Sequence, residues 1–357
     1  MADDAIFLVD GEDLEPLTAT AFGSEAALQE ALARHPELLA GAQIDADAPR
    51  RWLLIDREIG VPGEVEGAAR FSLDHLFVDQ DAIPTLVEVK RATDTRLRRE
   101  TIGQILDYAA NGLRHWPVDE LRTTFERRCA AESLDAEHEL GRLTGEADAA
   151  AFWQRVAEQL AAGRVRLLLV ADRIPLEVQT VVEYLNEQLR AAEVLAVELT
   201  RYAGAGREVL VPRVIGKTAA ATRVKRRSDQ RDYEALLADA DASTIELDRR
   251  LRDLADHEGL TWRTTPRARQ FGGAHGSIIA LYPPGEAINV LLGEIRGMGL
   301  DAEADDVLER LATITKTPLA SKMPAIPARD VLANWDDFAS SIIPTLLELR
   351  ARAAPST

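Results

Sequence analysis

"TLVEVK", residues 85–90, is the stretch on which the fold turns. Leu86, Val87 and Val89 give it the apolar, β-branched character of a buried strand. Glu88 and Lys90 put a carboxylate and an ammonium into it. Side chains two apart in a strand share a face, so Glu88 and Lys90 point one way and Val87 and Val89 the other, into a core. A solvated edge strand would also carry such charges, but its apolar neighbours argue against full exposure.

Working backwards, "VDQDAIP" (78–84) is a polar turn, and residues 69–78 form the preceding strand. Asp74 lies in that strand. His75 follows it and faces the other side, as a structural residue. Residues 51–59 form an earlier strand, ending near Glu58, an alternative acidic contributor. Before it, a helix runs from Ser24, its N-cap, to about Leu39, with Glu25 on the face of Leu28 and Leu32. Working forwards, a helix is expected over 96–111, closed by Gly112. Its apolar stripe is Ile102, Ile105, Leu106 and Ala109. Gln104 and Tyr108, four apart, share another face and are expected to line a cleft beside the sheet rather than enter the core.

Two carboxylates on adjacent strands with a nearby ammonium suit phosphodiester hydrolysis. Asp74 and Glu88 would hold a divalent metal, with the Val89 carbonyl as a further ligand and Lys90 addressing the attacking water. "LDHLFVD" (73–79), "LVEVK" (86–90) and "GQILDYAAN" (103–111) together resemble the PD-(D/E)XK nuclease superfamily. In that pattern Asp74 matches the metal-binding aspartate, and Glu88 with Lys90 the E-x-K pair. Gln104 and Tyr108 match the Q-x-x-x-Y motif of the RecB-like branch, and Glu25 the acidic residue of the first core helix. Leu73 stands where the family name has proline. The resemblance covers residues 20–115 best. It implies a restriction-endonuclease-like α/β fold, with a mixed sheet flanked by helices. It also implies a Mg²⁺- or Mn²⁺-dependent endonuclease acting on DNA, in repair or in defence against foreign DNA. RNA is a weaker alternative substrate. The rival from another class is a binding or scaffold protein on the same fold that no longer cuts.

The rest of the chain sets the frame. At 357 residues two domains are expected: a nuclease-like domain over 1–216 and an α+β accessory domain over 232–357. "VRLLLVA" (165–171) reads as a strand buried on both faces, residues 119–162 as helical connection and 174–191 as an amphipathic helix. Residues 194–200 and 208–214 read as strands. "KTAAATRVKRRSDQR" (217–231) reads as a basic linker. Beyond it, helices are expected at 243–258, 285–297 and 301–315, a strand at 276–283, and a final helix broken at Pro344. The accessory domain has no catalytic set; it is assigned to substrate selection, homodimerisation or partner binding.

The net charge is −18, which argues against a protein that coats nucleic acid. Residues 1–216 hold 23 Lys/Arg against 39 Asp/Glu, so nucleic-acid contact would rest on local cations. Arg91, Arg96, Arg98 and Arg99 near the motif, and Arg226 and Arg227 with Arg223 and Lys225 in the linker, are the candidates. Cys129 is the lone cysteine, which rules out an intramolecular disulfide. The histidines lack zinc-ligand spacing. No membrane-length apolar run or signal peptide is legible, and a cytoplasmic protein is expected.

Overall fold

The structure is a computed structural model. It describes residues 5–10, 13–46, 48–61, 71–92, 100–144, 149–204, 206–297, 299–315, 319 and 324–352. The chain divides into two compact units, one holding residues 1–143 and 148–222, the other chiefly residues 223–357.

The first unit is a mixed α/β layer structure. Its strands are β1 (Ala5–Asp10), β2 (Asp13–Thr20), β3 (Trp52–Val61), β4 (Phe71–Asp79), β5 (Pro84–Lys90), β6 (Arg166–Ala171), β7 (Glu193–Gly204) and β8 (Arg207–Ile215). They form one sheet in the order β1-β2-β7-β6-β5-β4-β3, with β8 paired to β7. β5, β6 and β7 run parallel; the other pairings are antiparallel. The parallel centre explains why β5 and β6 are buried along their whole length.

Helices cover both faces. α1 (Glu25–Arg34) and α2 (Gly41–Ile44) lie on one side, where Leu28, Leu32 and Ile44 pack on Phe77, Val87, Val89 and Val170. The Ser24 hydroxyl caps α1 by accepting from the Ala27 N–H at 3.1 Å. The other face carries α3 (Glu100–His115), α4 (Val118–Ala131), α5 (Ala136–Thr144), α6 (Ala149–Ala161) and α7 (Leu176–Gln188). There Ile105, Phe125, Phe152, Val156 and Val182 pack on Leu76, Leu86, Leu167 and Leu169. Gly216 ends β8 at φ +100°, and a Cβ there would meet the Val182 side chain at 2.8 Å. The buried Asn186 amide ties that turn down, donating to the Gly216 carbonyl and accepting from Val194 N–H.

Where β5 and β6 begin, a buried charge network fixes the sheet. Arg166 bonds Asp79 at 3.0 Å and Glu193 at 2.6 Å, and its guanidinium lies over the Trp52 ring. Arg50 joins Asp45, Asp79 and Asp81 beside it.

The second unit has a five-stranded antiparallel sheet, β13-β12-β11-β10-β9, from β9 (Thr261–Thr264), β10 (Arg269–Gly273), β11 (Gly276–Tyr282), β12 (Ala287–Val290) and β13 (Ala325–Pro327). Its helices are α8 (Ala219–Ala238), which begins in the first unit, α9 (Ala242–Glu258), α10 (Leu292–Arg296), α11 (Asp301–Thr315), α12 (Ala328–Ala333), α13 (Trp335–Asp337) and α14 (Ile343–Arg352). Leu247, Leu251, Phe271, Ile279, Val307, Leu311, Phe338 and Leu346 form its core. Arg269, buried between the Tyr233 and Trp262 rings, bonds Asp248 at 2.5 and 2.6 Å.

Several expectations are corrected. The linker of 217–231 is helical from Ala219 onward. Ala, Arg, Lys and Gln favour helix, and only isolated residues such as Ala221 and Tyr233 are buried, so no apolar period marks it. α3 runs through Gly112 to His115. Residues 287–290 are strand, leaving only Leu292–Arg296 helical in the expected 285–297 helix. Pro344 does not break the last helix. A π-helical turn over Phe338–Ile342 runs directly into α14; Pro344, which has no N–H to donate back, sits just after that turn, where the widened ladder accommodates it.

Candidate active site

The β4–β5 ladder pairs His75 with Val87, so Asp74 and Glu88 come next on the two strands. Here the Asp74 carboxylate takes over: its Oδ2 accepts the Val89 N–H at 2.7 Å. Glu88 and Lys90 share the α3 face of the sheet, and Val87 and Val89 pack on the α1 side, as the alternation of the stretch requires.

Lys90 is the hub. Its Nζ lies 2.8 Å from Glu88 Oε1, 2.9 Å from the Val89 carbonyl, 3.4 Å from Glu25 Oε1 and 4.0 Å from Asp74 Oδ2. Glu25 reaches it from the first turn of α1. Glu88 is 1 % exposed, and its Oε2 is buried with no hydrogen-bond partner.

Three carboxylates thus face one ammonium, and the electrostatics follow. Burial and then the Asp74 charge push the Glu88 pKa up to about 7 from an ordinary 4.5, against the pull of Lys90. Burial also raises Asp74, helped by Glu25 and opposed by the Val89 N–H, Lys90 and Gln29. Burial pulls Lys90 down, but the hydrogen bond and charge of Glu88, then Asp74 and Glu25, outweigh it and raise its pKa. Lys90 is therefore a fixed cation, and Glu88 is the group poised near neutrality.

Among the described residues, no set of three or more His, Cys, Asp or Glu side chains is arranged to hold a metal. The donor set here is smaller: Asp74, Glu88 and the Val89 carbonyl. An orphaned, buried carboxylate oxygen beside a surplus of negative charge fits a hard divalent cation that keeps several waters.

Tyr108 is placed differently from expectation. It is 1 % exposed and belongs to the core on the α3 face. Its hydroxyl donates to the Ser72 carbonyl at 3.1 Å and accepts from the Gln104 amide. The pair anchors β4 two residues before Asp74 instead of lining an open cleft. A phenol is large enough to fill the core while its hydroxyl reaches the backbone.

Arg91 follows the cluster, half-buried, and donates to the Gly23 carbonyl at 3.5 Å. Arg96, Arg98 and Arg99 lie outside the described residues. Arg226 and Arg227 are exposed on α8, in the second unit. Glu58 is exposed on β3 at φ +49°. His75 is buried on the opposite face, bonded to the Gln29 carbonyl at 2.9 Å. Sequence reasoning missed Gln29, which hydrogen-bonds Asp74; its i+4 spacing from Glu25 on α1 was the available signal. It also missed Asp172, whose Oδ1 accepts the Ala92 N–H at 2.6 Å.

No protein-family model, curated protein or solved structure matches the chain significantly.

Proposed function

We propose that the first unit is a metal-dependent nuclease with a restriction-endonuclease-like sheet, cutting DNA phosphodiester bonds. The observation that carries this is Glu88: a buried carboxylate with one oxygen on Lys90, the other unbonded, and Asp74 beside it. Asp74, Glu88 and the Val89 carbonyl would hold Mg²⁺ or Mn²⁺. Such an ion polarises a phosphoryl oxygen and lowers the pKa of a bound water.

The remaining roles belong to the chain. Lys90 supplies a permanent positive charge where the phosphoryl group gains negative charge, and orients the attacking water. Glu25 keeps Lys90 directed into the cluster. Gln104 and Tyr108 hold the β4 backbone that presents Asp74. The second unit is assigned to substrate selection or to homodimerisation.

The acidic balance of residues 1–216 favours a second reading, a binding or scaffold protein on a nuclease fold that no longer cuts. One assay separates them. Linear duplex, supercoiled plasmid and single-stranded DNA are incubated with Mg²⁺, Mn²⁺ or EDTA, with RNA in parallel. Cutting that needs metal and disappears in Glu88→Ala and Lys90→Ala supports the enzyme. Equal cutting by wild type and both variants marks a contaminant and sinks it.

A further inference from the structure

We propose that Arg173 and Leu176, at the mouth of β6 and the start of α7, form the wall that grips the nucleic-acid strand beside the Asp74–Glu88–Lys90 cluster. This rests on the nuclease reading above and names the substrate contact of that same site.

The placement comes from the parallel sheet. Lys90 at the end of β5 pairs with Ala171 at the end of β6. The segment that follows, residues 172–175, therefore leaves the sheet at the edge where the cluster sits. The bond from Ala92 N–H to Asp172 pins that segment to the chain just past Lys90. Ile174 N–H donates to Glu198 at 2.8 Å, fixing the segment from its other side. Val178 and Val182 of α7 bury into the same core as Leu86, Ile105 and Tyr108. α7 thus stands on the sheet face that carries Glu88 and Lys90, with its first residue toward the cluster.

On this frame three side chains are left in solvent, Arg173, Leu176 and Glu177. Leu176 is 74 % exposed, the most exposed large apolar side chain among the described residues, while Ile174 before it and Val178 after it are buried. Arg173 is exposed as well. A guanidinium beside an isolated aliphatic side chain matches a nucleotide, with phosphate for the one and sugar or base face for the other. Glu177, exposed at the next position, disfavours phosphate there, which leaves the phosphate to Arg173.

Both positions are exposed, so their substitution leaves the core intact. Binding is measured by fluorescence anisotropy with a fluorescein-labelled 20-nucleotide strand and its duplex, in Ca²⁺, over a range of salt. Arg173→Ala is expected to weaken binding about three- to tenfold and to lower the salt slope by about one. Leu176→Gln is expected to weaken it about tenfold with the slope unchanged. Arg122→Ala, an equal loss of charge on α4, is expected to bind as wild type. In Mg²⁺ the two site variants are expected to raise KM and keep kcat. Wild type that binds and cuts, with Arg173→Ala and Leu176→Gln indistinguishable from it, overturns this inference and leaves the nuclease reading standing. Wild type that neither binds nor cuts any probe overturns both.

Discussion

Replacing Glu88 with glutamine removes the one carboxyl in the cluster that is held near neutrality, and should stabilise the metal-free protein in a pH-dependent way. The folded pKa of Glu88 is about 7 against an ordinary 4.5, with burial the main cause and Asp74 the second. The folded state therefore keeps a proton that the unfolded chain releases as pH rises through 4.5. Stability drains away between about pH 4.5 and pH 7 and then levels off, because above pH 7 both states are ionised. The full penalty is roughly 3 kcal/mol, of which roughly 2–3 kcal/mol develops between pH 5 and pH 8. Glutamine carries no such penalty. Thermal unfolding in EDTA at pH 5 to 8 should show the Tm of Glu88→Gln gaining on wild type by roughly 5–10 °C across that range, for a unit of this size. The charged bond to Lys90 is already contained in the folded pKa; any difference between glutamine and the protonated carboxyl shifts the whole curve but not its slope. A Tm difference that stays flat, or that turns in favour of wild type as pH rises, would mean Glu88 is ionised at no cost and would refute the reasoning.

Asp74→Asn removes the charge that helps raise Glu88, so the pH step seen in the Glu88→Gln comparison should move to lower pH; a step that stays put would exclude coupling between the two carboxylates. Tyr108→Phe deletes the hydroxyl bonded to Ser72 and Gln104 and should cost about 1 kcal/mol in urea unfolding, with a drop in cleavage through misplacement of Asp74. Arg166→Ala leaves Asp79 and Glu193 without their shared cation and should cost about 3–5 kcal/mol. Replacing Arg166, Asp79 and Glu193 together with apolar residues, which orphans neither carboxylate, should recover much of that loss.

The sheet around the cluster was legible because its signals are local. Leu86–Lys90 shows a strand by composition and its two faces by alternation, and Asp74 and Glu88 sit where that alternation puts them. The cluster's internal bonds were not legible, because Val89 N–H to Asp74 and Lys90 to Glu25 join residues distant in sequence. Tyr108 was misjudged because helical angle alone cannot tell how far a neighbouring strand extends over a helix. The β1–β2 hairpin escaped because its apolar residues are partly exposed: Phe7, Val9 and Leu14 are each more than 60 % in solvent, so no buried run marks the strands. α8 escaped for the same reason, a helix made by propensity with few buried residues. The Asp79–Arg166–Glu193 network assembles only when β4, β6 and β7 are aligned, and no single stretch announces it.

Whether Asp74 and Glu88 jointly hold a divalent ion is tested most directly by anomalous diffraction from crystals soaked in Mn²⁺, wild type beside Glu88→Gln. A Mn²⁺ peak between the two carboxylates in wild type, lost in the variant, is the expected result. No peak in wild type under saturating Mn²⁺, with Glu88 still bonded to Lys90, would contradict a metal-dependent centre.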